Sequence, residues 1–209
     1  MNVKLLAFCL GDGTIGKNYY LKIRHCEKQK EYLEWKRKEL LSEIPCSEIT
    51  AINNNGFIAY DLHTKTNKSN EKELKEIKEK LYSNNNKKYF SDEIVDAMDS
   101  YCFAVLYMDD GSLVAKKRNG KTFAYNLTIS LYCSKEECER VIKKLNSLGM
   151  KFTLMYNKNK YSIRCGTKSA RKFISYIKTS NFPTLSCFQE TKFKPIITQF
   201  TPFFKKYST

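Results

Sequence analysis

Two short stretches of this chain are apolar on every side, and each ends in an acidic residue followed by glycine. The first is Leu5-Leu6-Ala7-Phe8-Cys9-Leu10-Gly11-Asp12-Gly13, the second Tyr101-Cys102-Phe103-Ala104-Val105-Leu106-Tyr107-Met108-Asp109-Asp110-Gly111. A segment with no polar face is buried all round. Each run is far shorter than the roughly 20 residues that cross a bilayer, so both read as elements of a protein core. If they are helices, their carboxylates fall at the C-terminal end, where the macrodipole is already negative. Asp12 and Asp110 lie 98 residues apart, and each closes the same kind of segment. Something positive must neutralise two such ends, and a divalent metal ion does so with the fewest groups.

The balance of charge points the same way. Thirty-seven Lys and Arg against 22 Asp and Glu give a net charge of +15. That excess favours a polyanionic partner, nucleic acid ahead of an anionic membrane surface. No run of about 18 apolar residues occurs, and Met1-Asn2-Val3-Lys4 does not open a signal peptide. No membrane partner is expected, and the location is intracellular: a bacterial or phage cytoplasm, or an organelle. The eight cysteines are scattered without a C-x-x-C pair, and His25 and His63 offer no zinc-finger spacing. Cys9, Cys102, Cys133 and Cys165 sit among apolar neighbours and read as small core residues of a reduced protein.

After each run the same order of elements can be read. Tyr19 to His25 alternates, with Tyr19, Leu21 and Ile23 on one face and Tyr20, Lys22 and Arg24 on the other. Glu27 to Ile44 reads as a helix with Leu33, Leu40, Leu41 and Ile44 inward, ended by Pro45. Cys46–Asn54 and Phe57–Lys65 flank Asn55-Gly56, a hairpin signal. Asn70 and Glu73 suggest a capping box ahead of Leu74, Ile77 and Leu81. In the second half Asn119-Gly120 joins two strands, the second burying Phe123, Tyr125, Leu127, Ile129 and Leu131. Ser134 and Glu137 form another capping box, and a further hairpin and helix follow. The expected fold is α+β, with two pseudo-symmetric αββαββα halves. The polar stretch at 83–88 divides them into residues 1–86 and 87–209.

The two acid-glycine segments and the repeat resemble the LAGLIDADG homing endonucleases, in the form that carries two motifs on one chain. The resemblance implies a pseudo-twofold monomer with the motif helices packed at the centre. Curved antiparallel sheets would form a DNA-binding saddle. It also implies a double-stranded DNA partner and metal-dependent double-strand cleavage of a long asymmetric site. The last acid of each motif, Asp12 and Asp110, would be the catalytic metal ligand. The backbone carbonyls of Gly11 and Asp109 would complete the coordination, and the Asp109 side chain takes a less critical position. Mg²⁺ suits such a minimal set of hard oxygen ligands, with Mn²⁺ or Ca²⁺ able to occupy the sites. Basic residues near the metals would be Lys88, with Lys87 as competitor, and Lys192, with Lys194 as competitor.

Sequence readout would fall to the wet faces of the strands, since two-stranded ribbons fit the major groove. The candidates are Lys22, Arg24, Asp61, His63 and Lys65 in the first half. In the second they are Lys116, Arg118, Asn126, Thr128, Lys151, Thr153, Ser162 and Arg164. Trp35 reads as a core residue rather than a stacking platform. Tyr107-Met108-Asp109-Asp110 also spells the YMDD of reverse transcriptases, but a polymerase leaves the first motif and the repeat unexplained. The alternative on the same scaffold is an RNA-binding maturase, acting on its own intron RNA, or a non-catalytic DNA-binding regulator. An intron-encoded or free-standing gene is expected, as no splicing residues frame the chain.

Overall fold

The computed structural model describes residues 1–179 except 55, 66 and 83–85. Helix α1 (Val3–Leu10) begins at Asn2, whose side-chain oxygen accepts from the Lys4 and Leu5 amides, both at 3.1 Å. A hairpin follows, β1 (Gly13–Ile15) and β2 (Leu21–Cys26), then a single 3-10 turn and α2 (Lys30–Leu41). Strands β3 (Thr50–Asn54) and β4 (Phe57–His63) and helix α3 (Lys68–Leu81) complete the first half. The short α4 (Asp92–Ala97), capped by Ser91, leads to α5 (Ser100–Asp110), capped by Asp99. Strands β5 (Gly111–Arg118) and β6 (Lys121–Ile129), helix α6 (Lys135–Ser147), strands β7 (Thr153–Asn157) and β8 (Lys160–Gly166) and helix α7 (Thr167–Lys178) repeat the order. The two antiparallel sheets have matching orders, β1-β2-β4-β3 and β5-β6-β8-β7. The α+β reading and the twofold αββαββα repeat therefore stand.

Helices α1 and α5 pack against each other, and Leu5 to Leu10 and Cys102 to Met108 are buried without a break. This explains why neither segment carries a polar stripe: the partner helix covers one side and a sheet the other. Ala7 and Ala104 are fully buried within them. Trp35 stacks on Tyr32 at 5.6 Å and leans on Phe8 and Tyr101; it is partly buried and packs against the core rather than lying within it.

Local chemistry explains most boundaries. Asn119 and Gly120 both have positive φ (50° and 74°), the backbone a tight hairpin needs. The Ser134–Glu137 capping box is present, and Glu137 also accepts from the Phe90 amide at 2.9 Å, tying α6 to the segment before α5. Other expectations need correction. Helix α2 ends at Leu41, which is exposed, although Ile44 is buried beyond it. Asn70 lies inside α3, which starts at Lys68, so it is not the cap. The first strand of the second hairpin begins at Thr50 rather than Cys46. Helix α4 was not foreseen. Phe123 is 65% exposed, because it is the extra residue where the register of β6 shifts against β5 and the alternation breaks.

Candidate active site and nucleic-acid interface

The two motif helices end side by side, and their junction is crowded. A Cβ on Gly13 would lie 1.9 Å from the Phe8 carbonyl oxygen, and one on Gly111 would lie 2.4 Å from that of Tyr107. Only glycine lets the chain turn so sharply out of each helix into its first strand. Asp12 and Asp110 stand at these turns. The Asp12 side chain is 37% exposed, and Asp110 is half-buried as a residue.

Gly11 serves a different contact. A Cβ there would fall 2.1 Å from Asp109 Oδ2. The carboxylate of Asp109 crosses from α5 into that space, and its Oδ2 accepts from the Asp12 amide at 2.9 Å. Oδ1 accepts from Lys36 Nζ at 2.7 Å, and both side chains of this pair are 0% exposed. Lys36 also donates to His25 Nε2 at 3.1 Å and lies over the Tyr32 ring, 4.4 Å from its centroid. His25 Nδ1 is 3.3 Å from Gln29 Oε1 and 3.5 Å from Asp12 Oδ2.

Burial alone would raise the Asp109 carboxyl. The Lys36 ammonium, the hydrogen bond it donates and the Asp12 amide outweigh burial and hold it below the ordinary carboxylate range. Burial and the neighbouring Asp109 push the Tyr32 hydroxyl well up, so it stays a protonated donor. The side chain of Asp109 thus stands at the centre of this cluster. His25, Lys36 and Tyr32 were missed. The available signal was a lysine on the apolar stripe Leu33–Lys36–Leu40 and a histidine on the inward face with Leu21 and Ile23.

Lys88 reaches the same junction. It donates to the carbonyls of Leu10, at 3.4 Å, and Gly11. Burial pulls its ammonium below the ordinary lysine value, despite Cys9 and the three nearby aspartates. The Gly11 carbonyl, expected on a metal, is therefore engaged by Lys88, and a second cation at that oxygen would meet the ammonium. Lys87 is exposed. Lys192 and Lys194 lie outside the described residues.

The outer faces of the sheets carry most of the readout candidates. In the first sheet Lys22 pairs with His63 and Arg24 with Asp61. In the second, Thr128 pairs with Arg164 and Arg164 with Thr153, while Asn126 lies opposite Val114. Two candidates are covered. Ser162 is buried, and Asp61 is 1% exposed. Arg24 holds Asp61 in a two-pronged contact at 2.5 and 2.8 Å, and Lys22 adds a third at 2.8 Å. Asp61 therefore presents no free carboxylate to a groove; it sets the posture of the two cations. The register of this hairpin also shifts between Lys116 and Lys117: Lys116 pairs with Ala124 and Lys117 with Thr122, so the extra residue is Phe123 in β6, and the alternation along β5 is kept. Lys65 lies beyond the end of β4 and Lys151 ahead of β7, both exposed.

The Arg24 hydrogen bond, offset in part by burial and helped by Lys22, lowers the Asp61 carboxyl from 3.8 to about 2. Because the folded value is the depressed one, this stabilisation is complete above about pH 4 and disappears as the pH falls towards 2. The half-exposed partners screen it to about 1–2 kcal/mol. Urea unfolding at a series of pH values should show wild type more stable than Asp61→Asn by that amount at pH 6, with the gap closing near pH 2. A gap that persists at pH 2 would refute the clamp.

Comparison with known proteins places this architecture. Residues 6–173 match the model of the LAGLIDADG DNA endonuclease family. Among solved structures, the homing endonuclease I-WcaI, bound to its DNA recognition sequence, is similar with a TM-score of 0.68 and 23% identity, over 87% of this chain and 81% of that one. The DNA complex of I-GzeII gives 0.57 and 12% identity over 100% and 94%. The N-terminal LAGLIDADG domain of DUF199/WhiA gives 0.51 and 16% over 84% and 79%. Among curated proteins, RecA of Mycolicibacterium flavescens is 30% identical over 120 residues, 54% of this chain. The chain spans only about a quarter of the length of the curated relatives it matches, 26% for this one. Among the described residues no helix is long and apolar enough to cross a membrane. The family match runs through both acid-glycine helices and both sheets, and the chain belongs to the LAGLIDADG DNA endonuclease family.

Proposed function

We propose that this chain cleaves both strands of a long, asymmetric duplex DNA site, using divalent metal held by Asp12 and Asp110. The observation that carries this reading is the pair of carboxylates at two adjoining buried helix ends, flanked by two sheets with Lys and Arg on their outer faces. The donor chemistry fits Mg²⁺, which takes hard oxygens, keeps several waters and needs only one or two carboxylates beside substrate phosphates. Bound there, the metal would supply charge stabilisation at the phosphate and an acidified water. Asp12 and Asp110 would hold it, and the Lys88 ammonium beside them would add positive charge without occupying a carboxylate.

Lys22, Arg24, His63, Lys116, Asn126, Thr128, Thr153 and Arg164 would meet the duplex, some at base edges and some at phosphates only. Structures of I-WcaI and I-GzeII with their DNA support a duplex as the partner. The chain would act as a monomer, since two halves already supply two acids, with the halves meeting near residues 83–88.

The test is incubation with a randomised duplex library and Mg²⁺, sequencing whatever is cut. A discrete cut sequence is expected; an uncut library refutes the reading. Binding to the selected duplex should weaken steeply with salt, with a slope of log K against log salt of several units. Lys22→Ala or Arg24→Ala should each cost about 1–3 kcal/mol if the side chain reads a base, or lower the salt slope by about one unit if it meets a phosphate. A gel-shift series in which neither quantity moves removes that strand from the interface.

A further inference from the structure

The two carboxylates that close the motif helices have unequal surroundings. Ile23 and Ile129 hold matching register positions, opposite Gly13 and Gly111, so His25 corresponds to Leu131. The buried Leu33, Lys36 and Leu40 of α2 correspond to Cys138, Val141 and Leu145 of α6. Gly11 corresponds to Asp109. The imidazole and the ammonium therefore serve the Asp12 side alone, and their counterparts on the Asp110 side are apolar.

Asp12, His25 and Asp109 bring one donor atom each within 4.8 Å of one another, a group with the composition of a metal site. Two features argue that it is not one. Lys36 already bridges Asp109 Oδ1 and His25 Nε2, at 2.7 and 3.1 Å, so an ion ligated by those atoms would press on the ammonium. Because Lys36 has no acceptor, Nε2 must accept, which puts the ring proton of the neutral imidazole on Nδ1. Nδ1 then faces Gln29 Oε1 and Asp12 Oδ2 as a donor and is closed to a metal.

We propose that Lys36 is a resident cation that takes the place of a metal between Asp109 and His25, making Lys36, Asp109 and His25 positioning residues for Asp12 alone. Asp109 fixes the main chain of Asp12 through its amide, and His25 orients its carboxylate, as outer-shell groups orient ligands elsewhere. Cleavage of the two strands then depends unequally on this cluster. That last consequence rests on the endonuclease reading; the metal-binding one does not.

The test uses the full chain and Co²⁺, whose optical spectrum reports imidazole ligation. The wild-type titration should be unchanged by His25→Gln. Lys36→Met should gain a Co²⁺ site that is absent from Lys36→Met/His25→Gln. Loss of a wild-type Co²⁺ site on His25→Gln overturns the proposal, as does a folded Lys36→Met protein that gains none. Should Lys36→Met not fold, Asp109→Asn, which keeps an acceptor for the Asp12 amide, carries the second measurement. On the selected duplex with each strand end-labelled, Asp109→Asn or Lys36→Met should slow the strand lost in Asp12→Asn by about 10–100-fold. The other strand should be nicked at close to the wild-type rate. Equal slowing of both strands refutes the positioning role. If Asp12→Asn itself cuts like wild type, the endonuclease reading falls and the Co²⁺ outcome still decides the proposal.

Discussion

Asp12→Asn and Asp110→Asn are each expected to lower double-strand cleavage by about a thousandfold or more while leaving DNA affinity within a few-fold of wild type. The size follows from the several kcal/mol of charge stabilisation that a metal supplies at a reacting phosphate. Binding survives because affinity rests on the cationic sheet faces, which neither substitution touches. Thermal melts in EDTA separate this from a structural loss. Each carboxylate sits at the negative end of a helix, so its removal should leave stability unchanged or slightly raised. The substitutions retain Gly13 and Gly111, which shape the turns. A plasmid assay in which either variant cuts at the wild-type rate removes that residue from the metal site. Nicking confined to one strand would match one acid per strand.

The second large effect is expected at a residue with no side chain. Gly11→Ala should destabilise the fold by about 3–5 kcal/mol, the cost of breaking a buried ion pair. The added Cβ would stand 2.1 Å from Asp109 Oδ2. The Asp109 side chain must withdraw, losing the Asp12 amide and leaving the enclosed Lys36 ammonium without its carboxylate. Gly11 has φ −90°, outside the left-handed region that favours glycine, so the cost comes from the clash. In a Lys36→Met/Asp109→Gly background the clashing atoms, Asp109 Cβ included, are gone, and the same alanine should cost under about 1 kcal/mol. Urea unfolding of the four proteins gives the coupling directly. Equal costs in both backgrounds would refute the account.

How far these features could be read in advance depended on how local their causes are. The Asn119-Gly120 turn was legible because its two residues must both adopt positive φ, which few pairs tolerate. The Ser134–Glu137 capping box was legible because both its bonds form within one helical turn. The motif helices were legible because a segment apolar all round has one environment. Phe123 misled because it is the extra residue of a bulge, where alternation along the strand breaks and no local pattern announces it. The ion pair of Lys36 with Asp109 spans 73 positions, and a buried lysine on a basic chain looks like any other charged residue until its stripe partners are counted. Asp61 was placed on the correct face, but its coverage by Arg24 and Lys22 depends on cross-strand register that no local pattern encodes.

The opposition of Gly11 and Asp109 also decides which halves can recognise each other. Two copies of the second half, brought together through their motif helices, would set one Asp109 carboxylate against another, each facing Val141 where Lys36 stands in the intact chain. Two copies of the first half would leave a gap at Gly11 and strand two enclosed lysines with no acid to meet them. Only the unlike pairing is both filled and neutral. A junction between two halves of the same strand order thus carries its own sorting rule, and separated halves of this chain would assemble as mates rather than as twins.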